Sequence, residues 1–118
     1  MNPCFERLYK TNKGKLITIR VGVPVRSNDV NNDWVCSYQI EGIEGIDGGR
    51  VRKTFGVDWI QAIVLTFTNI STSLYTSEEY INDGLVWDGG TQRDLGLPTA
   101  NAVNDFLREL KETSSEVR

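Results

Sequence analysis

The chain contains no histidine. That removes the Ser-His-Asp and Cys-His catalytic arrangements, along with the commonest general base near neutral pH. Cysteine is almost as scarce. Cys4 and Cys36 lie far apart and neither belongs to a C-x-x-C pair, whereas a structural zinc site takes four ligands, usually cysteine or histidine. Two such thiols read as small buried hydrophobes of a cytosolic chain. The nearest approach to a long apolar run, Trp59 to Phe67, is interrupted by Gln61 and Thr66 and falls short of the ~18 residues of a membrane span. The first residues, Met1-Asn2-Pro3-Cys4-Phe5-Glu6-Arg7, lack the basic-then-apolar layout of a signal peptide, so a cytoplasmic location and no membrane contact are expected. Strong net charge is missing too. The balance is -3, with a pI near 4.9, which argues against a nucleic-acid binder needing a basic face. The glycines at 42, 45, 48 and 49 do not form a phosphate loop. No G-x-x-x-x-G-K-[ST] pattern occurs, and the segment joins two apparent strands. No cofactor or metal is expected, and no enzymatic activity. Carboxylate-only chemistry would still need paired Asp or Glu in a cleft.

What is present is a set of well-marked elements. With 118 residues, 39% hydrophobic and 25% charged, the chain fits one soluble domain, residues 1–118, with a core that needs no staples. Phe5 to Thr11 reads as a first strand, closed by a turn at Asn12-Lys13-Gly14-Lys15. Ile17, Ile19, Val21, Val23 and Val25 then alternate with Thr18, Arg20, Gly22 and Pro24. This is the period of a strand with one buried face, and Pro24 places its end at an edge. After a polar loop, Trp34, Cys36, Tyr38 and Ile40 alternate again. A glycine-rich connection leads to Arg50–Phe55, where Val51 and Phe55 are expected to point inward.

The strongest periodic signal follows. Ile60, Ile63, Val64, Phe67, Ile70 and Leu74 recur at helical spacing, behind Asp58, a good N-cap. About 16 residues would span roughly 24 Å, enough to cross a sheet. The stripe is expected to be core, since the strands each have one apolar face needing cover. Thr76 or Ser77 could cap a short turn, and Leu85-Val86-Trp87 could be a last short strand. A second helix is expected from Pro98 or Thr99, with Leu97, Ala102, Val103, Phe106, Leu107 and Leu110 as its apolar stripe. A polar tail should begin near Thr113. The expected fold is α+β, an antiparallel sheet of four to five strands covered by a long central helix and a C-terminal helix.

Four stretches in this order resemble a family of small, uncharacterised bacterial proteins. They are Trp34–Gly42 with its Tyr38-Gln39-Ile40 strand, Gly56-Val57-Asp58-Trp59-Ile60-Gln61-Ala62-Ile63 as a helix start, Leu85-Val86-Trp87, and Asp94-Leu95-Gly96-Leu97-Pro98. The resemblance implies the same α+β fold and carries no catalytic residues. Small acidic single-domain proteins of this kind look like immunity proteins, which neutralise a toxin by binding it. The expected function is therefore non-enzymatic binding of a protein partner, a cognate toxin, with a cytosolic chaperone or adaptor as the alternative. Candidate contacts are Glu41, Glu44 and Asp47 in and beside the glycine-rich loop, Glu78, Glu79 and Tyr80 after the long helix, and Trp87 and Asp88 near the last strand. Aromatic groups anchor interfaces and acidic groups steer basic partners.

Overall fold

A computed structural model of the chain describes residues 2–28, 33–45, 48–87 and 94–116. The elements run β1 (Pro3–Thr11), β2 (Leu16–Gly22), β3 (Val25–Arg26), β4 (Trp34–Glu41), β5 (Arg52–Gly56), α1 (Trp59–Tyr75), a π-helical turn (Glu79–Asp83), β6 (Leu85–Val86) and α2 (Asn101–Glu116). All strand pairings are antiparallel. β1 lies between β2 and β6, and β4 pairs with β2, β3 and β5. The architecture is α+β. The strands number six because Val23-Pro24 interrupts the long second strand, and β3 is its two-residue continuation against Trp34 and Val35.

That interruption also ends the alternation. Ile17, Ile19 and Val21 are buried as expected, but Val23 and Val25 are exposed while Pro24 is buried. Proline has no N–H for the ladder, so the chain leaves the sheet at this point, and both residues of β3 are exposed where it returns. β5 departs from expectation in the same way. Thr54 points into the core, and Phe55 and Val51 are exposed.

The long helix begins as the sequence indicates. Asp58 Oδ1 accepts the Gln61 N–H at 2.8 Å, and Gln61 Oε1 accepts the Val57 N–H at 2.8 Å, a reciprocal cap. Its buried face matches the predicted stripe in part: Ile70 and Leu74 are buried and Phe67 packs against the core. Ala62, Thr66, Ile70, Ser71, Leu74 and Tyr75 are buried, whereas Ile60 and Val64 are exposed. The cause is close approach. α1 leaves the end of β5 so tightly that a Cβ on Gly56 would lie 2.5 Å from the Ala62 nitrogen. Only small side chains fit between helix and sheet there, so Ala62 and Thr66 face inward and the larger neighbours turn out. The Thr66 hydroxyl is satisfied within the helix by donating to the Ala62 carbonyl at 2.8 Å.

Ser77 caps the turn after α1, donating to the Leu74 carbonyl at 2.6 Å and accepting the Tyr80 N–H at 3.1 Å. α2 starts at Asn101, slightly later than expected, and continues to Glu116 through the segment read as a tail. Leu107 and Leu110 pack against the core, which is centred on Tyr9, Ile17, Ile40, Ile70, Leu74 and Leu95.

Candidate functional site

Three surface features stand out, and each grows from a local constraint. The first is a strap, residues 94–98, laid across the inner face of the sheet. Leu95 is fully buried. Its carbonyl accepts the Tyr9 phenol at 2.7 Å and Arg7 Nη1 at 3.1 Å, and its N–H donates to the Tyr75 phenol oxygen at 2.9 Å. Gly96 takes φ +66°, and a Cβ there would fall 2.3 Å from Trp87 Cζ2, so this position requires glycine. Trp87 Nε1 donates to the Asp94 carbonyl at 2.8 Å, and the Arg7 guanidinium lies 4.1 Å from the Trp87 ring centroid. Burial pushes the phenols of both Tyr9 and Tyr75 above their ordinary pKa, which keeps both protonated, Tyr9 as a donor and Tyr75 as the acceptor of the Leu95 N–H. Trp87 is thus committed to holding the strap.

The second feature is an acidic shelf beside the end of α1. A 520 Å³ hollow is lined by Ile43, Glu44, Gly45, Ser73, Thr76, Ser77 and Glu78. Glu44 and Glu78, distant in sequence, both border it and are exposed. Glu79 and Tyr80 are not surface groups. Glu79 is buried, and its Oε2 accepts Lys15 Nζ at 2.8 Å and the Glu44 N–H at 2.9 Å. Desolvation alone would raise its pKa. The Lys15 ammonium and the Glu44 N–H outweigh that and hold the carboxyl below its ordinary value. Tyr80 is buried edge-on against Tyr75, with ring centroids 5.0 Å apart. Glu79 and Tyr80 therefore tie the π-helical turn to the core and do not present a contact surface. Glu41 lies away from the shelf, at the end of β4, where it accepts Arg20 Nη1 at 2.7 Å. Arg20 Nε also donates to Glu6 at 2.8 Å, which completes a charged row across β1, β2 and β4. Exposed pairs of this kind contribute ~0–1 kcal/mol each. Asp47 and Asp88 lie outside the described residues.

The third feature was not among the predicted contacts. Val57, Ile60 and Val64 are 74%, 59% and 47% exposed. Trp59 is half exposed on a different side of the helix, where it borders a hollow with Cys4, Phe5 and Ile63. Ile60, Val64, Ser71 and Tyr75 fall on one side of α1 at helical spacing. The C-terminal half of that side is buried, Tyr75 lying under the strap, and the N-terminal half is open. The sequence stripe held Ile60 and Val64 together with Ile70 and Leu74, and nothing in its periodicity separates a core face from an exposed one.

Among the described residues no group of three His, Cys, Asp or Glu side chains is placed to hold a metal ion, and no helix is long and apolar enough to cross a membrane. The comparisons with curated proteins and with solved structures give no match. One family does match, over residues 5–99, which take in the sheet, α1 and the strap. The chain belongs to that family, described as a domain of unknown function, DUF6968.

Proposed function

We propose that this chain is a non-enzymatic bacterial binding protein, an immunity protein that neutralises a cognate toxin by direct contact. The observation that carries the reading is the open apolar side of α1. Ile60 and Val64, one turn apart, expose large side chains at the start of a helix whose other end is buried, and Val57, just before the Asp58 cap, is exposed as well. Clustered apolar groups of this kind on a folded surface mark protein interaction sites. Covering them removes apolar area from water at about 25 cal/mol per Å².

The toxin as partner is supported more indirectly. The chain is small and carries a net charge of -3, and Glu44 and Glu78 border one hollow. An acidic surface of this kind speeds encounter with a basic partner.

Co-expression with the product of the neighbouring gene, followed by affinity purification, tests the reading. Co-purification with wild type and its loss in Ile60→Asp/Val64→Asp is expected. Equal recovery with the double variant would move the interface elsewhere. No complex with a neighbour that is toxic on its own would end the immunity reading. A complex with a harmless secreted neighbour would favour a chaperone or adaptor.

A further inference from the structure

The inner face of the sheet is not fully covered. Between the N-terminal half of β1 and the strap lies a cleft of 280 Å³, lined by Phe5, Arg7, Ile19, Val21, Phe67 and Leu97 among others. Phe5 stacks on Phe67 with centroids 5.9 Å apart and forms an apolar wall, yet it remains 44% exposed.

One charged group of this inner face is Arg7. Its three hydrogen bonds, to the Leu95 carbonyl at 3.1 Å, the Gly96 carbonyl at 3.0 Å and the Tyr9 phenol at 3.4 Å, all leave from Nη1. Trp87 holds the guanidinium from its ring face. No carboxylate pairs with Arg7 among the described residues. Glu6 also borders the cleft, but its carboxylate is bound by Arg20 at 2.8 Å, and Asp94 Oδ1 accepts the Gly96 N–H at 2.9 Å.

A guanidinium fixed through one nitrogen keeps its Nε and Nη2 donors as a two-pronged fork, the geometry that matches a carboxylate. Because the strap immobilises the group beforehand, little side-chain freedom remains to be lost on binding. The geometry points to a ligand site for a small apolar monocarboxylate. Its carboxylate meets the free edge of Arg7, and its hydrocarbon part lies against Phe5, Phe67, Val21 and Leu97. At 280 Å³ the cleft falls just under the usual small-molecule range of about 300–1,000 Å³, which limits its occupant to a small acid. The site is distinct from the open side of α1 at Ile60 and Val64, so either can fail without the other.

Calorimetric titration of the wild-type chain with hexanoate, phenylacetate and the neutral hexanamide tests the site. Hexanoate or phenylacetate should bind at least tenfold more tightly than hexanamide. Arg7→Lys, confirmed as folded by circular dichroism, should lose at least tenfold in hexanoate affinity, since an ammonium lacks the planar fork. The acid–amide comparison needs no variant, so it decides the matter even if Arg7→Lys unfolds. Equal binding of acid and amide, or no binding of either acid up to about 10 mM, would overturn the assignment. So would binding only to a peptide with a free C-terminal carboxylate, because the ligand would then be a protein end.

Discussion

Tyr9 on β1 and Leu95 in the strap are 86 residues apart, and the phenol of one donates to the carbonyl of the other at 2.7 Å. This buried bond joins the first strand to the segment that precedes α2. Replacing Tyr9 by Phe keeps the ring and leaves a buried carbonyl with only the longer bond to Arg7. A loss of about 1–3 kcal/mol is expected, read as a lower urea midpoint with unchanged slope. An unchanged midpoint would mean that the strap is not anchored through this bond.

Gly56 tests the close approach of helix to sheet. A Cβ there meets the backbone of Ala62 at 2.5 Å and cannot be relieved by a side-chain rotation. Gly56→Ala is expected to cost roughly 3–5 kcal/mol, among the larger single-substitution effects. Gly14→Ala is the control. That position has φ +90° but open space around it, so only the backbone penalty of about 1–2 kcal/mol applies.

The Lys15–Glu79 pair predicts an acid-sensitive stability. The Glu79 carboxyl is held below its ordinary pKa in the folded chain. Its contribution is therefore complete above the unfolded carboxylate value, about 4.3, and disappears as pH falls through the lower folded value. Urea unfolding measured downward from pH 5 should show wild type losing more stability than Glu79→Gln. Parallel curves would remove Glu79 as the source.

The two cysteines should separate by reactivity. Cys4 is exposed and Cys36 is buried, with desolvation raising the Cys36 thiol pKa. One thiol should react rapidly with a disulfide reagent in the native protein, and the second only on unfolding. Rapid reaction of both would mean that β4 opens readily.

Much of this fold was legible because its signals are local. The Asp58–Gln61 cap, the Ser77 turn and the alternation of Ile17, Ile19 and Val21 each depend on neighbours a few residues away. The misses arose where a distant contact decided. α1 carries apolar groups on more than one side, and only the closeness of Gly56 to Ala62 selects Thr66 and Ile70 over Ile60 and Val64 for the interior. Hydrophobicity alone places Phe55 and Val51 inward, but the register of β5 against β4 turns Thr54 in. The candidate site was less legible still. Glu79 and Tyr80 look like surface residues beside Glu78, yet a one-turn π-helix inserts them into the core. Arg7 gave one weak signal, a charge at an inward position between Phe5 and Tyr9. Only the strap, which returns from the far end of the chain, gives it a role.

In the proposed function the open side of α1 is the surface that contacts a toxin. Growth rescue tests it most directly: the neighbouring gene product is expressed alone, with wild type, and with Ile60→Asp/Val64→Asp. Both positions are exposed, so the double variant should stay within about 1 kcal/mol of wild-type stability. Killing by the neighbour alone, rescue by wild type, and loss of rescue by the folded double variant are expected. Killing that wild type does not prevent would contradict it.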